Sequence, residues 1–239
     1  MSLDLISTFA FLALVFALSV TYYVKVLFQG RRRFDRVEQQ GGSPLLSKSL
    51  MEMTYWGLQP LAELFVHFKI SANVISFLSL IFGAIAGWAL AYGHFGSAGF
   101  FSAFSALFDA LDGMVARKTA TASNRGEVLD ASIDRYVEFF FFAGLIVYFQ
   151  NTSGLQLLTL SALIGSFMVS YSTAKAEALQ VTPPRGSMRR PERAMYLTLG
   201  AILSPFSSSA YPMIFVLVMV ALIANGSALR RLYAISKLV

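Results

Sequence analysis

Long apolar runs separated by short polar turns set the pattern of this chain. The first run, from Leu5 to Phe28, is followed at once by Arg31, Arg32, Arg33 and Arg36. A secretory leader has its positive charge before a shorter apolar region and a small-residue cleavage site after it. The reversed order predicts a retained transmembrane helix with its N-terminus outside. Between Ser43 and Lys69, large apolar residues such as Leu45, Leu46, Leu50, Trp56, Leu61 and Phe65 are interspersed with Lys48, Glu52, Glu63 and His67. That spacing predicts a helix lying in the membrane interface, bent or broken at Pro60, with Trp56 in the aromatic belt.

Six further apolar spans follow, at about 73–93, 97–116, 128–149, 155–178, 193–206 and 212–229, the fifth of them short. Roughly 20 apolar residues cross a bilayer as a helix. The expected fold is therefore all-α and integral to the membrane. It comprises an extra N-terminal transmembrane helix (1–30), a cytoplasmic linker with an interfacial amphipathic helix (31–72), a six-helix transmembrane core (73–230) and a cytoplasmic tail (231–239).

Composition narrows the class of chemistry. Of 239 residues, 13% are charged and 56% hydrophobic, against roughly 25% charged in soluble domains, which excludes an ordinary water-soluble fold. The absence of cysteine excludes disulfides, thiolate metal sites and cysteine nucleophiles. A net charge of +6 fits loops facing an anionic cytoplasmic leaflet and calls for no nucleic-acid partner. Threading the spans places residues 25–72, 117–135, 175–193 and 230–239 on one side, and these segments hold all 19 Lys and Arg. The positive-inside rule makes that side cytoplasmic, in a multi-pass protein of the cell's inner membrane.

Ionisable residues near membrane spans mark function by default. Asp109 and Asp112 are three apart and Asp130 and Asp134 four apart, so each pair shares a helix face, on either side of a loop holding Arg117, Lys118 and Arg125. A helical hairpin is expected to bring the two faces together. Four clustered carboxylates repel unless a counter-charge is present, and hard divalent cations such as Mg²⁺ or Mn²⁺ suit an all-oxygen site. Two such ions about 4 Å apart clamp a phosphoryl group during displacement. Gly113 and Gly126 either pack helices or admit a nucleotide to the backbone.

The segment Asp109-Ala110-Leu111-Asp112-Gly113-Met114-Val115-Ala116-Arg117, eight residues, Gly126, three residues, Asp130, three residues and Asp134 resembles the CDP-alcohol phosphotransferase signature at every fixed position. The resemblance covers about residues 45–230 and implies a phospholipid-biosynthetic enzyme. Such an enzyme moves a phosphatidyl-type group from CDP-diacylglycerol to a small alcohol, releases CMP, and is commonly a homodimer. It implies two divalent cations, Mg²⁺ or Mn²⁺, held by Asp109, Asp112, Asp130 and Asp134, with Asp134 also the general base. It places Asp112, Gly113, Ala116, Arg117, Ser123 and Gly126 around the CDP-lipid. Ser71, Ala72 and Asn73 resemble the family's stretch at the start of the first core span, with Ala72 where proline is usual.

The acceptor is approached through basic residues. Arg125, Lys175, Arg185, Arg189, Arg190 and Arg193 read either as ordinary positive-inside topology or as a pocket for an acceptor that already carries a phosphate. Lys175-Ala176-Glu177 and Gly186 through Arg193 are similar to the acceptor region of phosphatidylinositol-phosphate synthases, which implies inositol phosphate. Phosphatidylserine and phosphatidylglycerophosphate synthases are the alternatives within the family, although no late Gly-Lys-x-Lys-Thr stretch favours the latter. A cation or proton transporter is the alternative of another class, disfavoured because the carboxylates sit toward one membrane face.

Overall fold

The computed structural model describes residues 3–31, 34, 37–38, 41, 47–182 and 186–238. Its helices are α1 (Leu3–Gln29), α2 (Lys48–His67), α3 (Ala72–Ala91), α4 (Phe95–Lys118), α5 (Asn124–Tyr148), α6 (Ser153–Ala178), α7 (Arg190–Leu203) and α8 (Tyr211–Ser236), with a 3₁₀ turn at Ser204–Phe206. The expected all-α membrane fold is present, and each sequence-predicted span corresponds to one of these helices.

Local chemistry sets several boundaries. Ser47 caps α2 by accepting from Leu50 N (3.2 Å), and Ser123 caps α5 by accepting from Gly126 N (3.2 Å). At the other end of α4, Ala120 adopts a left-handed conformation, and Thr121 N returns to the Ala116 carbonyl (2.9 Å), which closes the helix. Pro60 lies inside α2, which runs through it unbroken. The missing N–H costs a single backbone bond, which packing of α2 against α4 offsets.

Among the described residues five helices, α1, α3, α4, α6 and α8, are long and apolar enough to cross a membrane. The pattern along the chain suggested seven. The difference lies in α5, whose first turns carry Arg125, Glu127, Asp130, Asp134, Arg135 and Glu138, and in α7. With 14 residues α7 is roughly 21 Å long at 1.5 Å per residue, short of the roughly 30 Å hydrocarbon core. Both helices bring polar ends to the site.

Helix α3 is the hub of the bundle, since α4 and α5 both pack along it. Small residues allow this. A Cβ on Gly87 would collide with the Phe140 carbonyl, and one on Gly144 with the carbonyl of Gly87, so α3 and α5 touch backbone to backbone. On the other side α6 packs against α8, and α7 bridges α4 and α8. A large apolar core that includes Leu90, Phe142, Leu145, Leu197, Met213 and Leu217 fills the centre. A smaller one, built from Leu58, Ala62, Ile75, Leu111, Met114 and Val115, seals α2 against α3 and α4.

The extra helix α1 leaves nearly all its apolar surface outward, as a lipid-facing helix does, and is pinned near both ends. Asp4 Oδ1 accepts from Ser97 N (3.1 Å) and Ser97 Oγ (3.2 Å), which caps α4 from a neighbouring helix. Toward its other end the Tyr22 hydroxyl donates to Glu52 Oε2 (3.4 Å), which also takes Arg31 Nε at 3.1 Å. Trp56 packs on the Tyr22 ring (5.6 Å) with Lys25 over its face (5.1 Å), so it is a contact between α1 and α2 and not only a belt residue.

Candidate active site

Helix α4 supplies Asp109 and Asp112, and α5 supplies Asp130 and Asp134. The expected hairpin brings the two faces together, and it is an open one. Although consecutive, α4 and α5 share almost no backbone contact, because each packs instead against α3. The carboxylates line the opening between the two helices. One oxygen from each of Asp109, Asp112 and Asp130 lies within 4.8 Å of the other two.

Each carboxylate has its own environment. Ser76 of α3 donates a short hydrogen bond to Asp112 Oδ2. Arg190, at the start of α7, grips Asp109 with two parallel bonds, Nη1 to Oδ2 and Nη2 to Oδ1, both 3.1 Å. The same Nη2 also pairs closely with Asp134. Asp112 and Asp134 are buried, while Asp109 and Asp130 are half-buried. Four carboxylates in a partly desolvated place repel one another and call for positive charge, part of which Arg190 supplies to Asp109 and Asp134. The donor set is carboxylate oxygen with no sulfur or imidazole, which fits a hard divalent cation on Asp109, Asp112 and Asp130.

The residues expected around a CDP-lipid lie at the start of α3, in the last turns of α4 and at the start of α5. Arg117 folds back over Gly113, where an added Cβ would lie 3.0 Å from its Nη1, so the glycine lets that guanidinium lie close to its own helix. Ala116 is half-buried and Arg117 exposed. Ser123 and Gly126 meet each other as the cap of α5, and Ser71, Ala72 and Asn73 form the exposed to half-buried start of α3, one turn before Ser76.

Of the six basic residues singled out for an acceptor, the structure brings Arg190 to the carboxylates. Lys175 and Arg125 are exposed at the last turn of α6 and the first turn of α5. Arg189 pairs with Glu192 (3.0 Å) in the first turn of its own helix, and Arg185 lies outside the described residues. Arg193 corrects the sequence expectation. It is 0% exposed and spends its guanidinium on Glu138, Ser170 and the Met188 carbonyl, which leaves none of it facing an acceptor.

Sequence reasoning missed other groups. Ser76 lies one turn beyond the stretch Ser71, Ala72 and Asn73 already singled out, and Glu138 continues the Asp130, Asp134 face by one further turn. Both were therefore legible as helix-face neighbours of the aspartates. Arg231 on α8 gave no signal beyond topology. Its Nε and the Ser227 Oγ one turn earlier are buried with no hydrogen-bond partner among the described residues, and Arg231 lies against Gly186, where an added Cβ would come within 2.6 Å of its side chain.

Comparison with known proteins matches residues 69–228 to the family model for CDP-alcohol phosphatidyltransferase. The chain belongs to the CDP-alcohol phosphatidyltransferase family. A phosphatidylinositol phosphate synthase of Mycobacteroides abscessus is 32% identical over 133 residues, covering 54% of this chain and 60% of that protein. One from Mycobacterium tuberculosis is 37% identical over 112 residues, covering 46% and 52%. The chain thus spans between half and two thirds of the length of these two relatives. An uncharacterised Aquifex aeolicus protein is 34% identical over 149 residues, 61% of this chain and 75% of that one. The crystal structure of Mycobacterium tuberculosis phosphatidylinositol phosphate synthase with CDP-DAG bound superposes with a TM-score of 0.68 at 26% identity. That comparison covers 74% of this chain and 92% of that one. A crystal structure of the same enzyme in complex with manganese and citrate gives 0.68 and 26%, covering 74% and 88%. Family membership of this kind displaces the transport alternative.

Proposed function

We propose that this CDP-alcohol phosphatidyltransferase moves the phosphatidyl group of CDP-diacylglycerol onto inositol phosphate and releases CMP. The observation that carries the reading is the convergence of Asp109, Asp112 and Asp130 within 4.8 Å, with Asp134 beside them through the shared Arg190. Two divalent cations, Mg²⁺ or Mn²⁺, held by these carboxylates would neutralise the diphosphate and the departing CMP. The kinship with phosphatidylinositol phosphate synthases supports the choice of acceptor.

In this reading the acceptor hydroxyl oxygen forms a bond to the phosphorus that bears the diacylglycerol. The bond from that phosphorus to the bridging oxygen breaks, and CMP leaves with the electron pair. The hydroxyl proton passes to the Asp134 carboxylate, buried at the edge of the cluster and held by Arg190. Arg117 over Gly113, together with the exposed cap of α5 at Ser123, offers donors to the nucleotide side of the donor lipid. The acceptor's own phosphate finds cations at Lys175, Arg190 and Arg231, the last with Ser227 beside it and buried donor capacity unspent. The lipid tails stay in the bilayer between helices, and the arginine-rich segments support a site at the cytoplasmic face of the inner membrane. The working unit is a homodimer.

Purified protein in detergent, given CDP-diacylglycerol and either inositol phosphate, inositol, serine or glycerol phosphate, tests this directly. Release of CMP should require a divalent cation, stop with EDTA and be fastest with inositol phosphate. Fastest release with serine or glycerol phosphate would transfer the reading to another acceptor, and no metal-dependent CMP release with any of the four would end it.

A further inference from the structure

The most densely bonded polar group in the described protein lies outside the carboxylate cluster. Glu138 sits one turn beyond Asp134 on the same face of α5, and Arg193 sits one turn beyond Arg190 on α7. The two helices are therefore joined by consecutive rungs, Asp134 with Arg190 and Glu138 with Arg193.

The second rung is the more enclosed. Arg193 Nε donates to Glu138 Oε1 (2.9 Å) and Nη2 to Oε2 (3.2 Å), a bidentate pair between a fully buried guanidinium and a buried carboxylate. Nη1 donates to the Met188 carbonyl (2.6 Å) and Nη2 also reaches Ser170 Oγ of α6 (3.3 Å). Arg135 closes the network, with Nη1 donating to Glu138 Oε2 (3.0 Å) and to Ser170 Oγ (2.8 Å). Three helices and the turn before α7 thus meet in one network, with Arg193 joining Glu138, Ser170 and the Met188 carbonyl.

Such a network does not earn its place through stability alone, since a buried ion pair is often no better than apolar packing of the same volume. What it fixes is position. The Met188 carbonyl that Arg193 holds belongs to a left-handed residue (φ 57°) two places before Arg190, so the lock sets both the register of α7 against α5 and the entry of its first turn. Arg190 then reaches Asp109 and Asp134 together.

We propose that Glu138 is a positioning residue for the reaction: it touches neither substrate nor metal, and through Arg193 it places the Arg190 guanidinium between Asp109 and Asp134. This rests on the functional reading above for its kinetic consequence, though not for its structural one.

A double-mutant cycle separates this from a general contribution to folding. Glu138→Gln keeps the shape and one acceptor, and should lower kcat/KM for the acceptor about 10-fold, leaving KM for CDP-diacylglycerol within about 2-fold. In an Arg190→Lys background the same change should cost less than about 2-fold, because the group it acts through is already displaced. Glu138→Asp, which retains the charge, should recover part of the loss. Equal losses in both backgrounds, or parent-like kinetics for Glu138→Gln, overturn the proposal. Should Glu138→Gln fail to fold, Ser170→Ala removes the shared hydroxyl more gently and is put through the same cycle, expected loss about 3-fold in the parent and none beside Arg190→Lys. The cycle is also read on Mn²⁺ affinity by titration, which needs no turnover. There Glu138→Gln should shift affinity about 3-fold more in the parent than beside Arg190→Lys. A protein that shows this coupling but no CMP release refutes the functional reading and keeps the positioning, and one that releases CMP without the coupling does the reverse.

Discussion

Arg190 grips both carboxylate oxygens of Asp109 at 3.1 Å, across 81 residues of sequence, and shares the same guanidinium with Asp134. A single fixed cation thereby holds together carboxylates from two helices that scarcely touch. It stands as a counter-charge where divalent ions are expected to bind, and so the stability of the cluster should depend on which cation is present.

The first prediction follows from that competition. Arg190→Ala should lower the thermal unfolding temperature in detergent by several degrees in EDTA and by much less in saturating Mn²⁺, since bound ions supply the missing positive charge. An equal drop in both conditions would mean that Arg190 does not share the carboxylates with a metal.

Asp134 stands outside the trio of converging oxygens, which separates its roles. Asp134→Asn keeps the shape and removes the proton acceptor. CMP release should fall about 10³-fold, while Mn²⁺ affinity measured by titration should change far less than on Asp112→Asn. Parent-like turnover by a folded Asp134→Asn protein would refute the assignment of the base.

Ser76 bonds one oxygen of Asp112 from the neighbouring helix and so turns the other toward the cluster. Ser76→Ala should weaken Mn²⁺ binding about 10-fold, the usual effect of losing a partner that orients a ligand. Ser76→Thr should restore most of it if the hydroxyl is what matters.

The backbone contact of α3 with α5 leaves no room for side chains. Gly87→Ala should destabilise the protein by about 2 kcal/mol through overpacking, read as a lower unfolding temperature. The Gly226→Ala control, with open space at its Cβ position, should be close to neutral.

The capping of α4 by Asp4 can be tested away from the site. Asp4→Ala should cost about 1 kcal/mol, the worth of an N-cap, with Mn²⁺ affinity unchanged. A change in metal binding would show that α1 acts on the site through α4.

Much of the fold was legible because membrane helices announce themselves in one dimension. Apolar runs marked α1, α3, α4, α6 and α8, and the four aspartates were visible as pairs at helical spacing. The segment expected to lie in the interface forms the helix α2, which runs through Pro60 without a break. The basic residues were read less well. As one-dimensional features Arg189, Arg190 and Arg193 look alike, yet one pairs within its own turn, one reaches the aspartates and one is buried on Glu138. Three neighbours on a helix point in three directions, and only the surrounding helices decide what each of them meets.

The sequence by itself determined the class of protein and the carboxylates available for metal, because hydrophobic length and helical spacing act locally along the chain. The tertiary structure decided that α4 and α5 lean on α3 and part around the site, that Ser76 bonds Asp112, and that Glu138 and Arg193 set Arg190 in place. These pairings join residues 36 to 81 positions apart. They arise from which small residues let helices approach and which buried charges must find partners, and neither requirement leaves a periodic trace in the sequence.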